Sequence, residues 1–143
     1  MATTVSFYND AVKLILDHTI HLATDDLKCI LLDGYTYSAA HTQLTDVSSF
    51  EIATSNGYTA GGKLLTGKSL GFVGNVTTFD ADDVSWVATG GSLPAVTGAS
   101  IFSDTSVGKM LVCYIDFDGS HVIPVSSTAL IVFNAGGLIN FTK

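Results

Sequence analysis

The spacing of hydrophobic positions changes near residue 27. Ahead of it, Phe7, Ala11 and Leu14, flanked by Tyr8, Val12 and Ile15, recur at helical spacing, with Ser6 standing where an N-cap belongs. This predicts one helix over about 5–18, lying across the end or face of a sheet. Beyond residue 27 the apolar residues fall into short runs or strict alternation, separated by Gly, Ser, Asn and Asp. Strands are expected at 27–32, 50–53, 68–73, 75–79, 84–88, 95–102, 110–117 and 129–133, and a last one at 138–141, with Gly74-Asn75 as a tight turn between two of them. Within 110–117 the alternation sets Leu111, Cys113, Ile115 and Phe117 on one face and Val112, Tyr114, Asp116 and Asp118 on the other. One face is expected to go inward and the other to meet solvent or a partner. The pattern reads as an all-β, jelly-roll-like β-sandwich with a short N-terminal α-helix: a single domain over 1–143, its sandwich spanning about 27–141.

Composition supports one domain with ample core: 143 residues, 47% of them hydrophobic and only 13% charged. A formal net charge of -7 with no Lys/Arg run leaves no electrostatic footprint for nucleic acid or an anionic bilayer, so neither is expected as a partner. The first ten residues carry neither a basic stretch nor an apolar run and do not read as a secretory signal. Thr and Ser fill many positions where a typical soluble enzyme carries Lys, Glu and Arg, which predicts a neutral, hydroxyl-rich surface weakly protected against association. Cys29 and Cys113 each lie inside an apolar run and read as buried, reduced thiols. Two longer irregular segments, 33–49 and 54–65, carry Tyr35, Tyr37 and Tyr58, which are the candidate partner-contact residues.

Motifs that carry chemistry are present only in broken form. Gly57-Tyr-Thr-Ala-Gly-Gly62-Lys63 fits part of a phosphate loop, but Leu64 stands where Ser or Thr must hold Mg²⁺, so a Gly-rich turn is expected instead. Asp80-Ala-Asp-Asp83 lacks the spacing of a calcium loop and reads as an Asx-type turn. Asp116 and Asp118 share a strand face and read as solvated edge charges. His18, His21, His41 and His121 form no ligand-spaced pair, and His18 reads as a partner for the helix dipole. No nucleophile elbow is present, and no catalytic, cofactor or metal residue is assigned. Trp86, the single Trp, is expected in the core.

Taken together, several blocks resemble a family of small virion structural proteins of tailed bacteriophages. They are Ile30-Leu-Leu-Asp-Gly-Tyr-Thr-Tyr37, His41, Asp46-Val47, Gly57-Tyr-Thr-Ala-Gly-Gly-Lys63 with Leu65-Thr-Gly67, Thr78-Phe-Asp-Ala-Asp-Asp-Val-Ser-Trp86 and Ile115-Asp-Phe117. The stretch Gly90-Gly-Ser-Leu-Pro-Ala95 departs from the usual pattern. The resemblance implies a non-enzymatic capsid decoration or cement protein without cofactor. Its expected partner is the major capsid protein, its expected state a homo-oligomer (dimer, or trimer as second choice), and its place the capsid exterior, after assembly in the host cytoplasm. The alternative is a tail or head-fibre module binding host-surface glycan through exposed Tyr35, Tyr37, Tyr58 or Trp86.

Overall fold

A computed structural model describes residues 4–134 and 136–142. Among these residues the chain is mostly β, with one short α-helix and three antiparallel sheets. Its largest sheet has five strands in the order β1-β8-β7-β2-β3: β1 Thr4–Phe7, β8 Leu111–Ile123, β7 Leu93–Ser103, β2 Leu27–Leu32 and β3 Lys63–Leu64. A three-stranded sheet runs β10-β5-β4 (Ile139–Thr142, Val76–Asp80, Ser69–Val73), and β6 (Val84–Val87) pairs with β9 (Thr128–Ile131).

The N-terminus departs from the expected helix over 5–18. Helix α1 covers only Asn9–Leu16, and Thr4–Phe7 is a strand pairing with Cys113–Asp116 of β8, so the sheet begins well before residue 27. Tyr8, not Ser6, takes the N-cap position, with extended backbone and no side-chain cap. The physical reason is an open edge: β8 offers a row of unpaired backbone groups, and the alternating run Val5, Ser6, Phe7 satisfies them at no cost to α1. At the other end His18 adopts a left-handed conformation (φ 64°), and its backbone N–H donates to Ile15, which stops the helix.

Two further differences concern strands. Residues 50–53 do not form a ladder; a 3-10 turn at Ser48–Phe50 leads into a single bridge between Glu51 and Leu32. The two-residue β3 takes the β2 edge at Lys28 and Cys29 instead. Strands β7 and β8 are longer than predicted, 11 and 13 residues, and their pairing shifts register at β-bulges or irregularities.

Both faces of the central strands are buried. Leu27, Cys29, Leu31, Ala99, Ile101, Cys113 and Ile115 point into the main core with Trp86, Tyr58 and Phe79. On the other face Ile30, Leu32, Phe102, Leu111 and Tyr114 meet Tyr8, Ala11, Tyr35 and Val47. The expectation for 110–117 is therefore corrected: an irregularity at its start turns Val112 into the main core and Leu111 to the other face, where Tyr114 too is buried, and only Asp116 and Asp118 reach solvent. The segment 33–50 covers that second face, which alternation within a single strand does not reveal.

Candidate functional site

The three tyrosines singled out in the sequence are drawn into the body of the protein. Tyr58 is 1% exposed; its hydroxyl donates to Glu51 Oε1 at 2.6 Å and accepts from the Leu31 N–H at 3.2 Å, while its ring tilts against Trp86 with centroids 5.9 Å apart. Tyr35 is also buried, edge-on to Tyr114 at 5.1 Å, with its hydroxyl 2.8 Å from His41 Nδ1. Tyr37 is half-buried, stacks on Tyr114 at 5.9 Å and donates to the Phe7 carbonyl. Tyr8 completes this layer: its hydroxyl lies 3.3 Å from Ser100 Oγ and 3.5 Å from the Tyr35 hydroxyl. Burial raises the Tyr8 and Tyr58 hydroxyls well above the ordinary phenol value, and burial with the nearby Asp116 charge pushes Tyr114 up to about 12. The layer is neutral and hydrogen-bonded, and it locks 33–50 onto the sheet.

The glycine-rich segment is structural. A Cβ on Gly57 would lie 2.1 Å from the Val87 carbonyl oxygen, and one on Gly62 the same distance from the Cys29 carbonyl oxygen. Both residues have positive φ, so each admits only glycine. The amide of Gly61, which a phosphate loop would turn toward an anion, donates to the Glu51 carboxylate at 2.6 Å. Lys63 reaches the Ser85 carbonyl and lies over the Trp86 ring. Cation and amide donor are both satisfied within the chain.

Most of the other polar positions are accounted for by local structure, Asp80 Oδ1 being buried without a hydrogen-bond partner among the described residues. Asp83 accepts from the Phe133 N–H at 2.8 Å and Asp82 from Thr66 Oγ1 at 3.0 Å, so the acidic run ties β5–β6 to its neighbours. Asp116 Oδ1 accepts from the Asp118 N–H at 2.9 Å where Asp118 turns to positive φ, holding a kink in β8. His18 and His21 stack on each other, with Asp25 3.7 Å from His21. Among the described residues no group of three or more His, Cys, Asp or Glu lies close enough together to hold a metal, and no helix is long and apolar enough to cross a membrane.

What remains for a partner is apolar. A groove of about 630 Å³ runs between the outer part of β8 and β9, lined by Phe117, Ile123, Leu130, Ile131, Val132 and Phe133 among others. His121, its ring nitrogen 3.1 Å from the Phe117 carbonyl, is the one titratable side chain along it among the described residues. Among the described residues, β1 pairs with β8 as far as Asp116, with Val5 at one end of the groove. Leu130 and Val132 remain 54% and 64% exposed at its rim. A second apolar surface is the β4–β5 hairpin, all five residues of β4 being exposed. Neither surface stood out in the sequence, where the same residues read as ordinary alternating strands; the available signal was the lack of any charge over 69–79 and 119–134.

No family model, no curated protein and no solved structure matches the chain.

Proposed function

We propose that this chain is a capsid cement protein that binds the outside of a major capsid shell and stabilises it by bridging neighbouring subunits. The observation that carries the reading is the uncharged groove of about 630 Å³ beside β9, an apolar site with open rim residues on a chain of net charge -7. Its occupant in this reading is a segment of the shell protein. The resemblance of the Gly57–Lys63 and Thr78–Trp86 blocks to phage virion proteins supports the choice of partner. The five-stranded sheet and the two smaller sheets are read here as the layers of a jelly-roll-like sandwich, a rigid body suited to many identical weak contacts over a closed shell.

Purified protein is expected to co-sediment with expanded, undecorated capsids. Leu130→Asp, which places a charge on the rim of the groove at an exposed position, is expected to abolish that binding while leaving the fold intact. Failure of the unsubstituted protein to bind at saturating concentration overturns the proposal. The molar ratio to the shell protein in purified virions separates cement from a tail or head-fibre component: a simple fraction fits the first, a few copies per particle the second. The glycan reading has less behind it, because Tyr58 and Trp86 are buried against each other in the core and offer no platform to a sugar ring.

A further inference from the structure

Strand β4 sits at the edge of its sheet and overhangs the core. Leu70 lies opposite Phe79 and Phe72 opposite Thr77, so all four share one face of the sheet. On that face Phe79 is fully buried, yet Leu70 is 54% exposed and Phe72 80%. Val73, on the other face, is 84% exposed. The strand carries none of the features that protect sheet edges: no charge, no proline, no bulge and no covering loop among the described residues.

The backbone of β4 is as open as its side chains. The turn Gly74-Asn75 is a two-residue hairpin loop with positive φ at Gly74, so Val73 and Val76 exchange both backbone bonds. Alternation then directs Ser69 and Gly71 toward β5, and the N–H and C=O groups of Leu70 and Phe72 outward, with no partner among the described residues. Such an edge takes another strand, and the pattern Leu70-Gly71-Phe72 suits a copy of itself. In an antiparallel pair centred on Gly71, each Leu70 faces the other copy's Phe72 and all four outward backbone groups of each strand are satisfied. The two Gly71 residues meet at the closely spaced, non-hydrogen-bonded position, where a Cα separation of about 4.5 Å is expected.

Charge and area both point to the same occupant. Residues 69–79 contain no ionisable group, so two chains of net charge -7 meet here without like charges opposed. Leu70, Phe72 and Val73 leave apolar surface on the order of 400 Å² per copy, about half of the ~800 Å² that each partner contributes to a standard interface. The strand backbone adds to this, which describes a weak, concentration-dependent dimer. We propose that two copies of this chain pair through β4, antiparallel and centred on Gly71, to join their three-stranded sheets into one six-stranded sheet. This gives the homo-oligomer of the cement reading a surface, but it stands on the hairpin alone and is tested without any capsid.

The experiment is sedimentation equilibrium of the purified chain over a dilution series, together with cysteine cross-linking. The unsubstituted protein is expected to pass from dimer to monomer on dilution. Phe72→Pro removes an outward N–H and the aromatic ring while sparing the bonds to β5, and is expected to shift that midpoint by at least about tenfold. Leu70→Lys, at an exposed edge position, serves the same purpose should the proline disturb the hairpin. Gly71→Cys is expected to cross-link under mild oxidation, since a Cβ there meets nothing within 4 Å and the paired residues fall within disulfide reach. Ser69→Cys, which faces Val73 of the other copy, is expected not to cross-link. A monomer at every concentration, a dimer undiminished in both edge variants, or equal cross-linking by Ser69→Cys overturns the proposal.

Discussion

Tyr58 shows how a single side chain can hold two segments together. Its hydroxyl joins the Glu51 carboxylate to the Leu31 N–H, so Tyr58→Phe leaves a buried amide and a carboxylate oxygen without that partner. Urea unfolding is expected to show a loss of about 1–3 kcal/mol. Buried neutral acids also set the alkaline limit. The Cys113 thiol is pushed up to about 12 by burial and Cys29 is raised the same way, from an ordinary value of 9.0. The unfolded thiols ionise first, so this contribution to stability is complete below pH 9 and is lost as pH rises from there toward 12. Melting temperatures measured from pH 8 upward are expected to fall through that window. At the acid end, Lys109 and Lys28, at 2.7 and 2.8 Å, hold the Asp104 carboxyl below its ordinary 3.8. The stability they add is lost as pH falls below that value, and because the cluster is part-exposed Asp104→Asn is expected to cost under about 1 kcal/mol. The candidate tyrosines were legible as special residues, but not their environment: whether an aromatic in a long loop faces a partner or folds back onto a sheet depends on contacts from distant segments.

At the scale of the element, turns and alternation carried most of the reading. Strand β2 begins and ends where the apolar run does, and Gly74-Asn75 is the turn of the β4–β5 hairpin. What failed was decided by pairing. Thr4–Phe7 became a strand because β8 had a free edge, and 50–53 did not because the β2 edge was taken mainly by β3. Glycines make the distinction between turn and motif testable. Gly62→Ala drives a Cβ into the Cys29 carbonyl and is expected to cost more than ~2 kcal/mol or prevent folding, whereas Gly71→Ala, with open space around it, is expected to be close to neutral. The hairpin supplies a matching contrast: Phe79→Ala is expected to cost about 3–5 kcal/mol and Phe72→Ser under about 0.5 kcal/mol, although both rings stand on one face of one small sheet. Thermal or urea unfolding of the pairs, at concentrations where the chain is monomeric, reads these differences directly.

For the molecule as a whole, the five-stranded sheet places Cys29 and Cys113 on either side of Ile101, each paired with it from a flanking strand. Two strand spacings separate them, about 9.6 Å, beyond the reach of a disulfide. Both thiols are therefore expected to resist alkylation in the native protein and to react in full once it is unfolded without reductant, as mass spectrometry would show. The same sheet imposes an order on synthesis. Its first strand, Thr4–Phe7, pairs with Cys113–Asp116, and Leu27–Leu32 pairs with Gly98–Ser103. Val5 and Phe7 are made well before their partners and stay unpaired until Cys113 and Ile115 have emerged. Pairing of β1 and β2 thus waits on strands far along the chain, and a nascent chain that has not yet reached β8 leaves one edge of β7 unpaired.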